Sequence, residues 1–197
     1  MTKIVVGSVG IGALLGYFLL PESFLPISEY IIIVGLSGLL FFVGMDIGMQ
    51  GTVIKNIKKA GARILMFPVA AIVGTLGGAA FASLILPINL FESLAVGSGM
   101  GWYSLAPLLI DQYSASLSAV SFLHNVMREL LGIITIPIVA KYIGHIETIS
   151  LPGAAAMDVC LPIVEKSTSA EVAIYSFIAG ITLSASVPIL VPLFLGL

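Results

Sequence analysis

Arg128, Glu129 and Asp158 stand inside apolar stretches of the sequence, where each charge costs at least about 2.5 kcal/mol on insertion scales. A charge kept there needs a partner, a water-filled cavity or a function. Arg128 and Glu129 are consecutive, so on a helix they point about 100° apart and do not face each other. His124 lies one turn before Arg128, and Asn125 one turn before Glu129, which lays two polar faces side by side along one span. Two readings are open. In the structural one, Arg128 forms a buried ion pair with Asp158 or Asp111, while Asn125 and Glu129 bond the backbone of broken helices. In the functional one, Glu129 and Asp158 line a cavity and bind a cation or exchange a proton.

Other polar residues carry weaker signals. Asp46 sits near the end of an apolar stretch, where it either faces a cavity or snorkels to water and pairs with Lys55. Trp102, Tyr103 and Ser104 directly follow a glycine-rich break; the two rings serve either as interfacial anchors or as a face for a cation. Asp111 falls at a membrane boundary, where a charge is expected. His124 is either an interhelical hydrogen-bond donor or a station on a proton route.

The elements that must position these groups follow from composition. The chain has 197 residues, 59% of them hydrophobic and 9% charged, with a mean hydropathy of +1.17. Soluble folds do not use this alphabet, so the fold class is an all-α integral membrane protein. A net charge of −2 with no broad basic patch excludes nucleic acid as a partner. One cysteine and two histidines supply neither a disulfide framework nor a zinc motif.

Crossing the hydrocarbon takes about 20 apolar residues, with roughly 17 as the lower limit. Stretches 4–20, 30–49, 62–86, 94–110, 116–140 and 173–195 give about six transmembrane helices in a single domain, 1–197. The first reads as a retained helix, since no small-x-small cleavage pattern precedes the turn at 21–26. Residues 97–107 carry glycines costing about 1 kcal/mol each in a helix, and 151–164 is short and opens with Pro152-Gly153. Both predict broken or re-entrant elements. Leu105-Ala106-Pro107-Leu108 and Cys160-Leu161-Pro162-Ile163 end the two interruptions alike, and paired interrupted segments are a pointer to a transporter built from repeats. Gly12/Gly16, Gly44/Gly48, Gly74/Gly78 and Gly97/Gly101 are spaced for close helix contact.

Lys55, Lys58, Lys59 and Arg63 form the basic cluster of the chain, which places the 50–61 loop in the cytoplasm. Counting spans then puts the N-terminus inside and the 21–29 and 87–92 turns outside. The expected location is the cell membrane, with several passes.

At Val43-Gly44-Met45-Asp46-Ile47-Gly48, Gly99-Met100-Gly101-Trp102-Tyr103-Ser104, Asn125-Val126-Met127-Arg128-Glu129 and Ala156-Met157-Asp158-Val159-Cys160-Leu161-Pro162, the chain resembles the LysO-type L-lysine exporters of bacteria and archaea. The resemblance implies export of L-lysine from the cytoplasm by ion exchange, with H+ as the coupling ion and Na+ as the alternative, and with no cofactor. The family's intramembrane acids fall on Glu129 and Asp158. Apart from the resemblance, broken-helix ends together with Ser98, Ser104 or Asn125 are the groups expected to hold the α-amino and α-carboxylate groups of such a substrate. Fused members are longer at the N-terminus, so this chain looks like the larger, C-terminal part of a split exporter. A homodimer, or a small membrane protein supplying the missing helices, is the expected partner. Competing readings are a sodium-coupled carrier of an organic anion and a non-transporting subunit of a larger complex. An intramembrane hydrolase is disfavoured, because Gly97-Ser98-Gly99 lacks the GxSG order and Gly44-Met45-Asp46 the GxGD order.

Overall fold

The computed structural model describes residues 61–197 throughout and scattered helical positions between residues 7 and 49. Asp46, Lys55, Lys58 and Lys59 lie outside the described residues, as do most positions of the expected spans 4–20 and 30–49. Among the described residues every regular element is helical.

A 3₁₀ turn, Gly61–Leu65, leads into α1 (Met66–Ala82). Asn89 then starts α2 (Leu90–Gly97): its side chain accepts from the Glu92 amide at 2.9 Å, and the Glu92 carboxylate accepts from the Asn89 amide at 3.0 Å. This reciprocal box satisfies two of the helix's orphan donors. The glycine-rich run ends α2, and the chain turns through Met100 (φ 48°) and Gly101 (φ 91°) before α3 (Ala106–Asp111), which opens on Pro107. Ser114 caps α4 (Ala115–Tyr142) by accepting from the Leu117 amide. Two 3₁₀ turns follow, Ile146–Ser150 and Gly153–Met157, and then α5 (Leu161–Ser167), which opens on Pro162. Ser169 caps α6 (Ala170–Leu195) by accepting from the Val172 amide. With 28 and 26 residues, α4 and α6 are about 42 and 39 Å long. Each exceeds the roughly 30 Å of a hydrocarbon core.

The Tyr113 hydroxyl donates to Glu92 Oε1 at 3.3 Å, so the start of α2 and the end of α3 lie together. Residues 90–113 therefore form a re-entrant hairpin. This agrees with the broken or re-entrant element expected at 97–107, because the glycine run lets the chain turn back. Leu193 to Gly196, at the end of α6, line the same cleft as Glu92 and Tyr113. Thus α6 ends where α4 begins, and the two long helices run in opposite directions. Residues 143–169 leave the far end of α4 and return to the start of α6, which makes 151–164 part of a second hairpin entering from the other side. At that side Phe67, near the start of α1, stacks on Tyr175 of α6 with ring centroids 6.4 Å apart.

The two hairpins organise two cores. Val96, Met100, Ile110 and Leu117 pack with Leu183, Val187 and Val191 of α6. Ile149, Ala155, Cys160 and Val164 pack with Ile133 and Ile136 of α4 and Val172 of α6. These cores repeat one another. Pro107 and Pro162, Ser114 and Ser169, and Leu117 and Val172 are each 55 residues apart and hold matching places. Met100 and Ala155 stand at the same interval, one in each core. Residues 90–142 and 146–195 are thus two copies of a hairpin plus long helix, in inverted orientation. Pairs of this kind carry the sites of many transporters at their interface.

Candidate functional site

The hairpin tips meet midway along the long helices. The Ala154 amide donates to the Met100 carbonyl at 2.7 Å. Glycines permit this approach: a Cβ on Gly101 would stand 2.7 Å from the Pro152 carbonyl oxygen, and one on Gly153 (φ 69°) would run into the Met100 carbonyl. Beside the crossing lies a cavity of about 100 Å³, lined by Trp102, Tyr103 and Ser104 of the first hairpin, Met157 and Asp158 of the second, Glu129 of α4 and Ser184 of α6. Such a volume holds several waters and accommodates an ammonium group with its hydration.

Glu129 is half-buried and its carboxylate has no hydrogen-bond or ion-pair partner among the described residues. Asp158 follows the 3₁₀ turn Gly153–Met157, and its Oδ1 accepts from the Val159 amide at 2.6 Å. The two acids are close enough for their charges to interact. Tyr103 turns its ring edge-on to Phe122, centroids 6.4 Å apart, and Trp102 packs against the first core. The cavity thus joins two carboxylates, three hydroxyls and two rings, a set suited to a cation or a proton.

Arg128 does not join them. Its guanidinium donates to the Leu151 and Ser150 carbonyls at 3.3 Å each, to Thr75 Oγ1 at 3.2 Å, and lies 4.0 Å from Met100 Sδ. The expected ion pair with Asp158 or Asp111 is not formed, because the consecutive placement of Arg128 and Glu129 sends them to different sides of the crossing. Arg128 instead ties α1, α4 and the second hairpin together. Asn125 takes its structural role: fully buried, it accepts from the Gly101 amide at 2.7 Å and donates to the Ser121 carbonyl at 2.8 Å. Ser98 donates to the Leu94 carbonyl of its own helix at 2.7 Å and does not line the cavity. His124 lies with Arg128 along a separate groove on α4, and Asp111 is exposed at the hairpin's end.

Residues 6–195 match the family described as the lysine exporter LysO. The chain belongs to this family. Among LysO relatives, it is 30% identical over 168 residues to the lysine exporter LysO of Escherichia coli (strain K12), covering 85% of this chain and 54% of that protein. It therefore spans about half the length of that relative. A Haemophilus influenzae protein, named provisionally as a lysine exporter, is 27% identical over 157 residues, covering 79% of this chain and 80% of its own. No solved structure matches the chain.

Every cavity residue lies within the LysO match. Sequence reasoning missed Ser184 and Met157, since a serine and a methionine in apolar stretches look like ordinary packing. Extending the Pro107/Pro162 similarity along the chain would have found Ser184, which stands 55 residues after Glu129.

Proposed function

We propose that this chain forms the substrate-binding domain of a membrane exporter that moves L-lysine out of the cytoplasm in exchange for protons. The observation carrying the proposal is the cavity at the hairpin crossing, where Glu129 and Asp158 face each other's charge without a basic side chain among the described lining residues. Intramembrane acids of that kind mark ion and substrate pathways. The names of the LysO relatives support lysine as the cargo.

Lysine carries one net positive charge, and expelling it against an inside-negative potential costs about 2.3 kcal/mol per 100 mV. Exchange for one proton cancels that electrical cost and leaves the pH gradient as the drive. In this scheme the ionised acids receive the ammonium from inside, the hairpins part and reclose, and external protons displace the substrate. The 50–61 loop and the ends joining α4 to α6 face the cytoplasm in this reading. A second copy of the chain, or a small membrane protein, is the partner in this reading. A sodium-coupled carrier of an organic anion fits less well, because Arg128 is spent on carbonyls away from the cavity.

The test is radiolabelled L-lysine exchange in proteoliposomes, with the chain alone and with its partner, with and without a pH gradient. Acceleration by the gradient, abolished in Glu129→Gln, supports the reading. Absence of exchange in every assembly overturns it.

A further inference from the structure

The inverted repeat relates the cavity's residues in pairs. Tyr103 and Asp158 are repeat mates, and so are Glu129 and Ser184, each pair separated by 55 residues and all four lining the one cavity. Glu129 comes from α4 and Ser184 from the same position of the inverted mate, α6.

Ser184 also differs from three hydroxyls on the same two long helices. Thr135, Thr182 and Ser186 each donate to a carbonyl of their own helix at 2.6 to 2.9 Å, the usual outlet for such groups. Ser184 is only 7% exposed, yet its hydroxyl finds no oxygen or nitrogen partner among the described residues; its contact is Met157 Sδ at 3.9 Å. Thioether sulfur is a weak acceptor. A buried hydroxyl held this loosely beside a cavity is available to a ligand.

We propose that Ser184 is a specificity-determining residue that contacts the transported ammonium, accepting its third N–H while Glu129 and Asp158 accept the other two. This rests on the reading of the site given above. A primary ammonium presents three donors, and the three acceptors come from α4, the second hairpin and α6. A guanidinium spreads its donors in a plane and a trimethylated amine has none, so neither fits this arrangement.

The experiment compares L-lysine with Nε-trimethyl-L-lysine as competing substrates in wild type, Ser184→Ala and Ser184→Thr, using the full chain in its active assembly. Ser184→Ala is expected to raise KM for lysine about tenfold, as for a lost hydrogen bond to a charged group, leave the weak trimethyl-lysine competition unchanged, and be rescued by Ser184→Thr. An equal effect on both substrates, or no effect, overturns the proposal.

A second measurement does not depend on transport. In a Cys160→Ala background, Ser184→Cys is expected to react faster with a cationic thiol reagent than with an anionic one, and lysine is expected to slow the reaction. A thiol at 184 that stays unreactive, or shows no charge preference, overturns the assignment. Cationic preference without lysine protection, together with absent lysine exchange in wild type, would overturn lysine as the cargo and, with it, the contact to its ammonium.

Discussion

The Met100 carbonyl accepts the Ala154 amide at 2.7 Å, and through that bond the tips of two hairpins entering from opposite sides are joined. Glycines keep the contact open. Gly153→Ala would press a methyl group into the Met100 carbonyl in a left-handed conformation, which alone costs about 1–2 kcal/mol. Thermal unfolding in detergent is expected to show a clear loss for Gly153→Ala. Gly77→Ala, where a Cβ meets open space, is expected to be neutral or stabilising, since alanine gains about 1 kcal/mol over glycine in a helix.

Asn125 supplies an acceptor to Gly101 and a donor to Ser121 at once. Asn125→Ala leaves the Gly101 amide unpaired, at about 1–3 kcal/mol, while the Ser121 carbonyl keeps its bond within the helix. Asn125→Asp keeps the acceptor but, when ionised, faces the Ser121 carbonyl with a negative oxygen. Protonation restores a donor there, so the stability of Asn125→Asp relative to wild type is expected to rise as pH falls. A deficit independent of pH would contradict this account.

Arg128 holds two carbonyls and Thr75 with separate nitrogens of one planar group. Lysine offers its donors from a single atom and cannot span the same partners. Arg128→Lys is expected to lower the unfolding temperature, and Arg128→Met to lower it further by leaving buried carbonyls unpaired. Thr75→Val, which removes one contact, is expected to cost about 1 kcal/mol.

Glu129→Gln and Asp158→Asn keep shape and remove charge. In the proposed exchange each is expected to reduce gradient-driven lysine export at least tenfold, with little change in unfolding temperature because neither side chain holds another in place. External acidification is expected to speed export by wild type, since protons displace substrate from outside. The check is initial efflux rate against external pH.

Much of this site was legible because intramembrane charge is costly wherever it occurs. Glu129 and Asp158 stood out on desolvation alone, and Trp102, Tyr103 and Ser104 on their place after a glycine break; all five line one cavity. The helix breaks at 97–107 and 151–164 followed from glycine and proline chemistry. Direction of travel did not, because an apolar stretch has the same composition whether it crosses or returns; the Glu92–Tyr113 contact decides it for the first hairpin. The fate of Arg128 was equally hidden, since its acceptors are backbone carbonyls, which every residue has and no side-chain pattern reveals.

The crossing also sets an order of events in biogenesis. Met100 leaves the ribosome 54 residues before Ala154, and a bare carbonyl in hydrocarbon costs several kcal/mol. Synthesis of the second hairpin therefore supplies the donor that the tip of the first lacks until then.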